Sequence, residues 1–377
     1  MRILAITKRQ YMNKDLLDDR YGRFREIPLA LARRGHEVRG LCLSYRTRAD
    51  TQAVDTDPRS GASVSWDSAN LGKLLVPGLA RFLRKGRQLV RDFRPEIIWA
   101  GSDSFYGPAA QFIGRHSGTL VVFDIYDHFE TFASTKIPGL FALYRRSCRD
   151  ADGVTSFSEV MSRHIVEQYG RNGPLLTLVN GTDRTLFHPL DKSGCRSRFG
   201  LPAGARLLGI AGAISQSRGI ETVFQAFETL ARTEPELHLV IAGPRDPDLD
   251  IPAHPRLHDL GMLDHADVPC MLNALDIGIV PQRDSPAGRF GFPYKAYEMM
   301  ACGLPLVAAD VGAMSGLLDD CPGCLYAPDN STDLCRAIRY QLDAARTPTK
   351  VVPDWDDIAG ILEGFLLNLA NQTQRAG

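Results

Sequence analysis

Residues 206–227 read RLLGIAGAISQSRGIETVFQAF. A short apolar run gives way at Gly212 to a turn-forming stretch with Ser215 and Gly219, and a helical spacing of apolar residues follows. Strand, glycine-bearing turn and helix in that order open a βαβ unit. The rhythm continues downstream in LHLVIAG (237–243), DIGIVP (276–281) and LPLVAAD (304–310). It also runs upstream, in RILAIT (2–7), VRGLCL (38–43), EIIWAG (96–101), TLVVFDIY (119–126), GVTSFS (153–158) and LLTLV (175–179). Helical stretches separate these runs, which is the signature of parallel strands in a doubly wound sheet. Because the pattern begins twice, the expected fold is α/β, with two Rossmann-like doubly wound domains facing a cleft. Ligands of such folds bind at the carboxyl ends of the strands.

The break falls in VNGTDRTLFHP (179–189), which is rich in turn formers. This gives domains at 1–181 and 182–352. The tail 353–377 contains WDDIAGILEGFLLNLANQ, an amphipathic helix expected to pack back on the first domain. A length of 377 residues suits two cores better than one.

Lys and Arg number 44 and Asp and Glu number 44, so nothing marks the chain as a nucleic-acid binder. The balance is uneven, however: residues 1–180 hold 27 basic and 19 acidic side chains. The opening MRILAIT has no signal-peptide form, and no apolar stretch of about 18 residues is present to span a membrane. Eight cysteines without such a signal fit a reducing, cytoplasmic setting. Cys321-Pro-Gly-Cys324 lacks the second pair that zinc would need and reads as a tight turn holding two free thiols.

Five segments, in order, resemble the retaining glycosyltransferases of glycosyltransferase family 4, with the GT-B fold. They are LALARRGHEV (29–38), SFSEVMSRHI with VNGTDRTLFHP (156–189), IAGAISQSRGIETVFQAF (210–227), LGMLDHADVPCMLNALDIGIVP (260–281) and PYKAYEMMACGLPLVAADVGA (293–313). The chain departs from the family's pattern in three places. Phe290 stands eight residues before Glu298, where the family often has the first of two glutamates, and this resembles a subgroup in which a Phe-Pro-x-Lys entry replaces that first glutamate. Arg218-Gly219 takes the place of Lys-Gly. NKDLLDDRYGRFRE (13–26) replaces a glycine pair in the first loop.

Within RFGFPYKAYEMMACGLP (289–305), Lys295 and Glu298 lie three apart at the start of a helix that Pro293 suits as a first-turn residue. Free N–H groups and the positive end of the helix dipole favour a diphosphate there, and Lys295 adds a full charge. Glu298, one turn on, is placed to accept hydrogen bonds from ribose hydroxyls. The plain alternative is a Lys–Glu surface pair. Arg218 can grip a diphosphate bidentately, with Gly212, Ser215 and Gly219 letting the backbone approach an anion. The resemblance adds Phe292, Pro293 and Tyr294 to the donor side, and the backbone groups of Met262 and Leu263 to the base edge.

VVFDIYDHFETF (121–132) delivers Asp127, His128 and Glu130 at a strand's carboxyl end. The resemblance implies that His128 faces the transferred sugar, and Asp127 joins it as a catalytic candidate. Asp19, Arg20 and Arg23 are the acceptor-side candidates, on the loop after the first strand. The stretch LARFLRKGRQLVRDFR (79–94) carries six basic residues and could rest on an anionic membrane, or be a packed helix with a basic outer face. No carboxylate set reads as a metal site, and no cofactor is expected.

What the resemblance implies is transfer of a sugar from a nucleotide-diphosphate sugar to a glycan or lipid-linked hydroxyl acceptor, with retention, in bacterial-type polysaccharide, glycolipid or glycoconjugate synthesis. The same double sheet also hosts sugar-nucleotide epimerases and inverting transferases, and a non-catalytic sugar-nucleotide-binding partner would share the motifs.

Overall fold

The computed structural model describes residues 1–11, 14–46, 49–291 and 294–376, and side chains up to residue 373. The chain divides into two compact units, Met1–Gly181 with Trp355–Gly377, and Thr182–Asp354.

The first unit is built on an eight-stranded sheet. Its strands are β1 (Arg2–Lys8), β4 (Glu37–Ser44), β5 (Thr51–Thr56), β6 (Ser63–Asn70), β7 (Ile97–Gly101), β8 (Leu120–Ile125), β9 (Gly153–Ser156) and β10 (Leu175–Thr177). A small hairpin, β2 (Gln10–Tyr11) and β3 (Lys14–Asp15), stands apart. The sheet order is β10-β9-β8-β7-β1-β4-β6-β5, parallel except for β5 at the edge. Helices α1 (Arg23–Arg33), α2 (Leu75–Phe93), α3 (Tyr106–Gly114), α4 (Leu140–Asp150) and α5 (Glu159–Tyr169) cover it. Right-handed crossovers place α1 on one face and α2 to α5 on the other. The C-terminal helix Trp355–Ala376 lies against α1 and buries Ile358, Leu362, Leu366 and Leu369. Arg34 and His36 both bond to Glu363 across that contact, at 2.6 and 2.7 Å.

Strands β5 and β6 carry no apolar run, so no strand was expected there. TQAVDT and SVSWDSAN are largely polar because β5 is the open edge. Only Val64 and Trp66, alternating with exposed Ser63 and Ser65, show the period of two.

The second unit has six parallel strands: β11 (Arg206–Ala211), β12 (Leu237–Ala242), β13 (Leu257–Asp259), β14 (Ile277–Val280), β15 (Leu306–Ala309) and β16 (Leu325–Tyr326). Their order is β13-β12-β11-β14-β15-β16. Helices α6 (Lys192–Arg198), α7 (Ile220–Ala231), α8 (Val268–Ala274), α9 (Pro286–Phe290), α10 (Tyr294–Ala301), α11 (Met314–Leu317) and α12 (Ser331–Asp343) complete it. One core runs from Leu208 and Ile210 through Phe224, Phe227 and Leu239 to Ile338. Here Cys321 and Cys324 are joined as a disulfide, which corrects the expectation of two free thiols. The one-turn helix Pro322–Cys324 folds the two Cα atoms to 5.7 Å apart. The other six cysteines are free, and five of them are buried.

Strand order reverses once in each unit. From β1 the chain moves to β4 on one side, then returns to β7 on the other. From β11 it moves to β12, then returns to β14. The gaps β1/β7 and β11/β14 are therefore the topological switch points, where a doubly wound sheet opens a crevice at its carboxyl edge.

Candidate active site

At the β11/β14 switch point the backbone is left bare. Gly212 ends β11 with φ 135°, and Gly243 ends β12 with φ 140°. A Cβ on Gly243 would sit 2.0 Å from the Gly212 carbonyl oxygen, so a side chain there would clash with main chain. Gly212 N donates to Ala242 O at 2.8 Å. The chain then makes one turn, Gln216–Arg218, passes through Gly219 at φ 75° and enters α7. Ser215 is buried and bonded to Ser217 at 2.9 Å.

Arg218 is exposed, and its Nη1 donates to the buried Gln282 Oε1 at 2.8 Å. The partner is a neutral amide, so the bond orients the guanidinium without cancelling its charge. Gln282 escaped sequence reading, although it is the first side chain able to hydrogen-bond after the apolar run IGIVP. Arg283 next to it ties the turn down, with Gln216 O at 2.6 Å, Glu221 at 3.0 Å and Asp329 at 3.0 Å.

Lys295 and Glu298 sit on the first two turns of α10. The lysine stem passes within 3.7 Å of where a Gly212 Cβ would be, which places α10 beside the phosphate-type loop. Lys295 Nζ donates to Glu298 Oε2 at 2.7 Å, so both the pair and the shared face exist. The lysine is half-buried and Glu298 is buried, with 7 % exposed. A buried carboxylate with a single cation holds that cation in place until a stronger anion competes. Met262 is 70 % exposed and Leu263 half-buried, so neither side chain closes a pocket. Tyr294 is half-buried at the start of α10, while Phe292 and Pro293 lie outside the described residues.

In the first unit, Asp127 and His128 follow β8 as expected. The Asp127 carboxylate accepts its neighbour's backbone N–H at 2.7 Å. His128 is buried, with its Nε2 3.8 Å from Glu130 Oε2. Glu130 also accepts from His164 Nε2 at 2.9 Å and from the Tyr169 hydroxyl. Burial lowers the pKa of His128 from its usual 6.5, the Glu130 charge working against it, so the ring tends to neutral. Burial pushes Glu130 up, but the Tyr169 and His164 hydrogen bonds outweigh it and leave the carboxyl below its usual range. His128, Glu130 and His164 bring three ligand atoms within 4.8 Å of one another, a set that could hold a divalent ion. Sequence spacing hid this set because His164 comes from α5.

The acceptor-side candidates part company. Arg23 is a correction: it is buried, and its guanidinium is consumed within the fold. It grips Asp124 bidentately at 2.9 and 2.8 Å and bonds to Leu178 O, Val179 O and Asn180 Oδ1. Asp124 also takes a hydrogen bond from Thr155. Two charges with 3 % and 0 % side-chain exposure are tolerable because all five guanidinium protons are matched and both carboxylate oxygens accept hydrogen bonds. Asp19 accepts from Asp15 N at 2.6 Å and so holds its own turn. Arg20 extends into solvent, 62 % exposed and 4.0 Å from Asp55. The loop is anchored by buried Arg9, which bonds both Asp15 oxygens and Asp18. No expectation fell on Lys8 at the end of β1, although a lysine closing an apolar strand at a switch point is a legible signal.

The chain's two halves match two family descriptions. Residues 23–181 match "Glycosyl transferase 4-like domain" and residues 205–344 match "Glycosyl transferases group 1". Among curated proteins, D-inositol 3-phosphate glycosyltransferase 2 of Catenulispora acidiphila is 29% identical over 52% of this chain and 48% of that protein. The putative teichuronic acid biosynthesis glycosyltransferase TuaC of Bacillus subtilis is 24% identical over 71% and 69%. The chain spans about half the length of the inositol-phosphate enzymes it matches. Among solved structures, sucrose-phosphate synthase of Thermosynechococcus elongatus superposes with a TM-score of 0.70 at 18% identity, covering 100% of this chain and 98% of that one. Anabaena HepE in complex with UDP-glucose gives 0.66 at 17%, covering 100% of both chains.

Proposed function

We propose that this chain, whose two parts match two glycosyltransferase family descriptions on a GT-B fold, is a glycosyltransferase that transfers a sugar from a nucleotide-diphosphate sugar to a hydroxyl acceptor, with retention and without a metal. The observation that carries this is the β11/β14 switch point, where the stem of Lys295 lies against the bare backbone of Gly212, and Arg218 on the turn that follows keeps its charge uncancelled. Those groups suit a diphosphate. When the bond from the anomeric carbon to the diphosphate oxygen breaks, charge grows on that oxygen. Arg218 and Lys295 stabilise it more in the transition state than in the ground state. The acceptor oxygen then bonds to the anomeric carbon, and its proton passes to the departing phosphate. Retention rests on the family resemblance.

Thermal-shift measurement with a panel of nucleoside diphosphates and their sugars, in chelator, tests the donor site. Protection equal to a ligand at 100 times its Kd adds about 2.7 kcal/mol. Strict dependence on Mg²⁺ or Mn²⁺ would overturn the metal-free part. NMR of the product anomer separates retention from inversion.

The reading extends to an anionic membrane surface on the cytoplasmic side. The apolar face of α2, with Phe82, Val90 and Phe93, is turned into the core. Its outer face shows Arg84, Arg87 and Arg91, and its leading end exposes Leu74 (70 %), Leu75 (50 %) and Val76 (75 %). Three adjacent exposed apolar residues ahead of a cationic stripe match a bilayer of anionic headgroups. No described helix is long and apolar enough to cross a membrane. Co-sedimentation with vesicles containing phosphatidylglycerol, and not with phosphatidylcholine alone, is expected and should fail in Leu75→Asp. Equal sedimentation with both vesicle types would remove the electrostatic argument.

A further inference from the structure

The first unit's switch point lies between β1 and β7, and its carboxyl edge has a composition unlike that of the second unit. Register puts Ile6 opposite Ala100 and Gly101 opposite Asp124, so Lys8, Ser102 and Ile125 stand at one level on three neighbouring strands, and Tyr126 is the next residue beyond that level. Lys8 Nζ lies over two rings, Tyr11 at 5.5 Å and Phe132 at 5.2 Å. Lys8, Tyr11, Phe132, Asp103 and Asp127 are each half-buried, so the cluster is open on one side. Among the described residues no carboxylate comes within ion-pair distance of Lys8 Nζ. An ammonium largely withdrawn from water, with rings in place of a counter-ion, has donors to offer a ligand.

The neighbouring backbone carries strain. Ser102 has φ 98°, a conformation that side chains other than glycine rarely adopt. It is held there by Thr7 Oγ1 at 2.5 Å from its hydroxyl and by the Tyr126 hydroxyl donating to its carbonyl at 3.3 Å. The strain carries Asp103 onto the crevice edge, where one carboxylate oxygen is fastened by Ser104 and Ser134. Burial lowers the pKa of Lys8, with Asp103 and Asp127 opposing it.

We propose that this crevice is the acceptor subsite and that it takes a neutral pyranose, whose hydroxyls bond to Lys8 and to the Asp103 and Asp127 carboxylates beside the Tyr11 and Phe132 rings. The assignment rests on the glycosyltransferase reading and gives its acceptor a chemical class. One cation flanked by two carboxylates leaves a net negative site, which disfavours a phosphorylated or carboxylated sugar. It suits a ligand that presents both donors and acceptors on an apolar ring. Lys8 is here a positioning residue that fixes the acceptor ring.

Saturation-transfer NMR and calorimetry on the full chain test this, with methyl α-glucoside and methyl α-mannoside as neutral probes and glucose 6-phosphate as the anionic one. At least one neutral glycoside should bind, and Lys8→Met should weaken it about tenfold to a hundredfold, the range for a lost charged hydrogen bond. Affinity should fall as pH rises, at a pH below that at which an ordinary lysine loses its proton. Lys8→Arg, a second variant in case Lys8→Met misfolds, should bind the glycoside and move that alkaline fall outward. Equal affinity in both variants at every pH, preference for glucose 6-phosphate, or no glycoside bound at all would each overturn the proposal. Protection of the same samples by nucleoside diphosphates reports the second unit independently. If it persists in Lys8→Met while glycoside binding never appears, the subsite fails and the donor reading stands. If it is missing from the unaltered chain, the donor reading fails.

Discussion

The two switch points are the same place in two copies of one architecture, and they are finished in opposite ways. At β11/β14 the chain ends its strands in glycines with φ 135° and 140°, and brings Arg218 and Lys295 to the exposed backbone. At β1/β7 it places a strained serine, two carboxylates, two aromatic rings and a lysine. The first finish offers backbone free of side chains and positive charge, which is the chemistry of a diphosphate. The second offers a mixed polar set against rings, which is the chemistry of a hydroxyl-bearing ring. Topology decides where a ligand site can be, and the last residue or two of each strand decide what it accepts.

Several measurements would break this comparison or sharpen it. The largest effect should come from ending the chain before Trp355. Ile358, Leu362, Leu366 and Leu369 are buried against the first unit, and each is worth about 1.5–3 kcal/mol. Their sum rivals the whole stability of about 5–15 kcal/mol. The first unit should melt or precipitate while the second unit keeps its nucleotide-dependent protection. A truncated chain with an unchanged melting curve would refute the packing account.

Two arginines come next, one from each region. Arg23→Ala strips a buried bidentate pair and should cost about 3–5 kcal/mol in denaturant unfolding. Arg218→Ala leaves an exposed turn and should cost under about 1 kcal/mol of stability. It should instead lower turnover about 10²–10³-fold, equivalent to about 2.7–4 kcal/mol, as loss of one preorganised charge does. Lys295→Ala should resemble Arg218→Ala, and the double variant should fall short of the summed losses because both serve one diphosphate. Glu298→Gln should act mainly on donor KM. Wild-type kinetics in folded Lys295→Ala would show that the 2.7 Å pair with Glu298 is only structural.

A smaller effect should follow acidification. His128 has a folded pKa below its unfolded 6.5, so the stability it contributes is present above pH 6.5 and is lost as pH falls through the folded value. Glu130, also lowered, adds a loss that begins only below its usual 4.5. Denaturant midpoints at pH 7.5 and 5.5 should therefore differ by up to about 1 kcal/mol more in the native chain than in His128→Asn. The smallest effect concerns the His128, Glu130 and His164 set. Chelator should leave donor binding unchanged, since the diphosphate site in the second unit is built from Arg218 and Lys295. Loss of that binding in chelator, restored by Zn²⁺ and abolished in His164→Ala, would make the set a working metal centre.

Much of this was legible in one dimension, and the misses have particular causes. All ten apolar runs are strands, because a parallel strand covered on both faces must be apolar nearly throughout. β5 and β6 were not legible: β5 is an edge strand left largely exposed, so it and its antiparallel neighbour can be polar. Arg23 illustrates the limit for function. Three arginines in DDRYGRFRE look alike in sequence, yet one grips Asp124, 101 residues away, one pairs with Asp55 and one reaches into solvent. Gln282 and Lys8 gave weak local signals. What made them candidates was their level beside a strand-order reversal.

By itself the sequence determined the alternation of strands and helices, the double start of the pattern and the residues able to meet a phosphate, because local periodicity and glycine placement are properties of neighbouring residues. Only the tertiary structure decided which charges are spent inside the fold, which carboxylate meets which histidine, and that Lys8 stands among Tyr11, Phe132, Asp103 and Asp127. Those facts depend on strand order and register, which bring together side chains tens to a hundred residues apart and set how much water each retains.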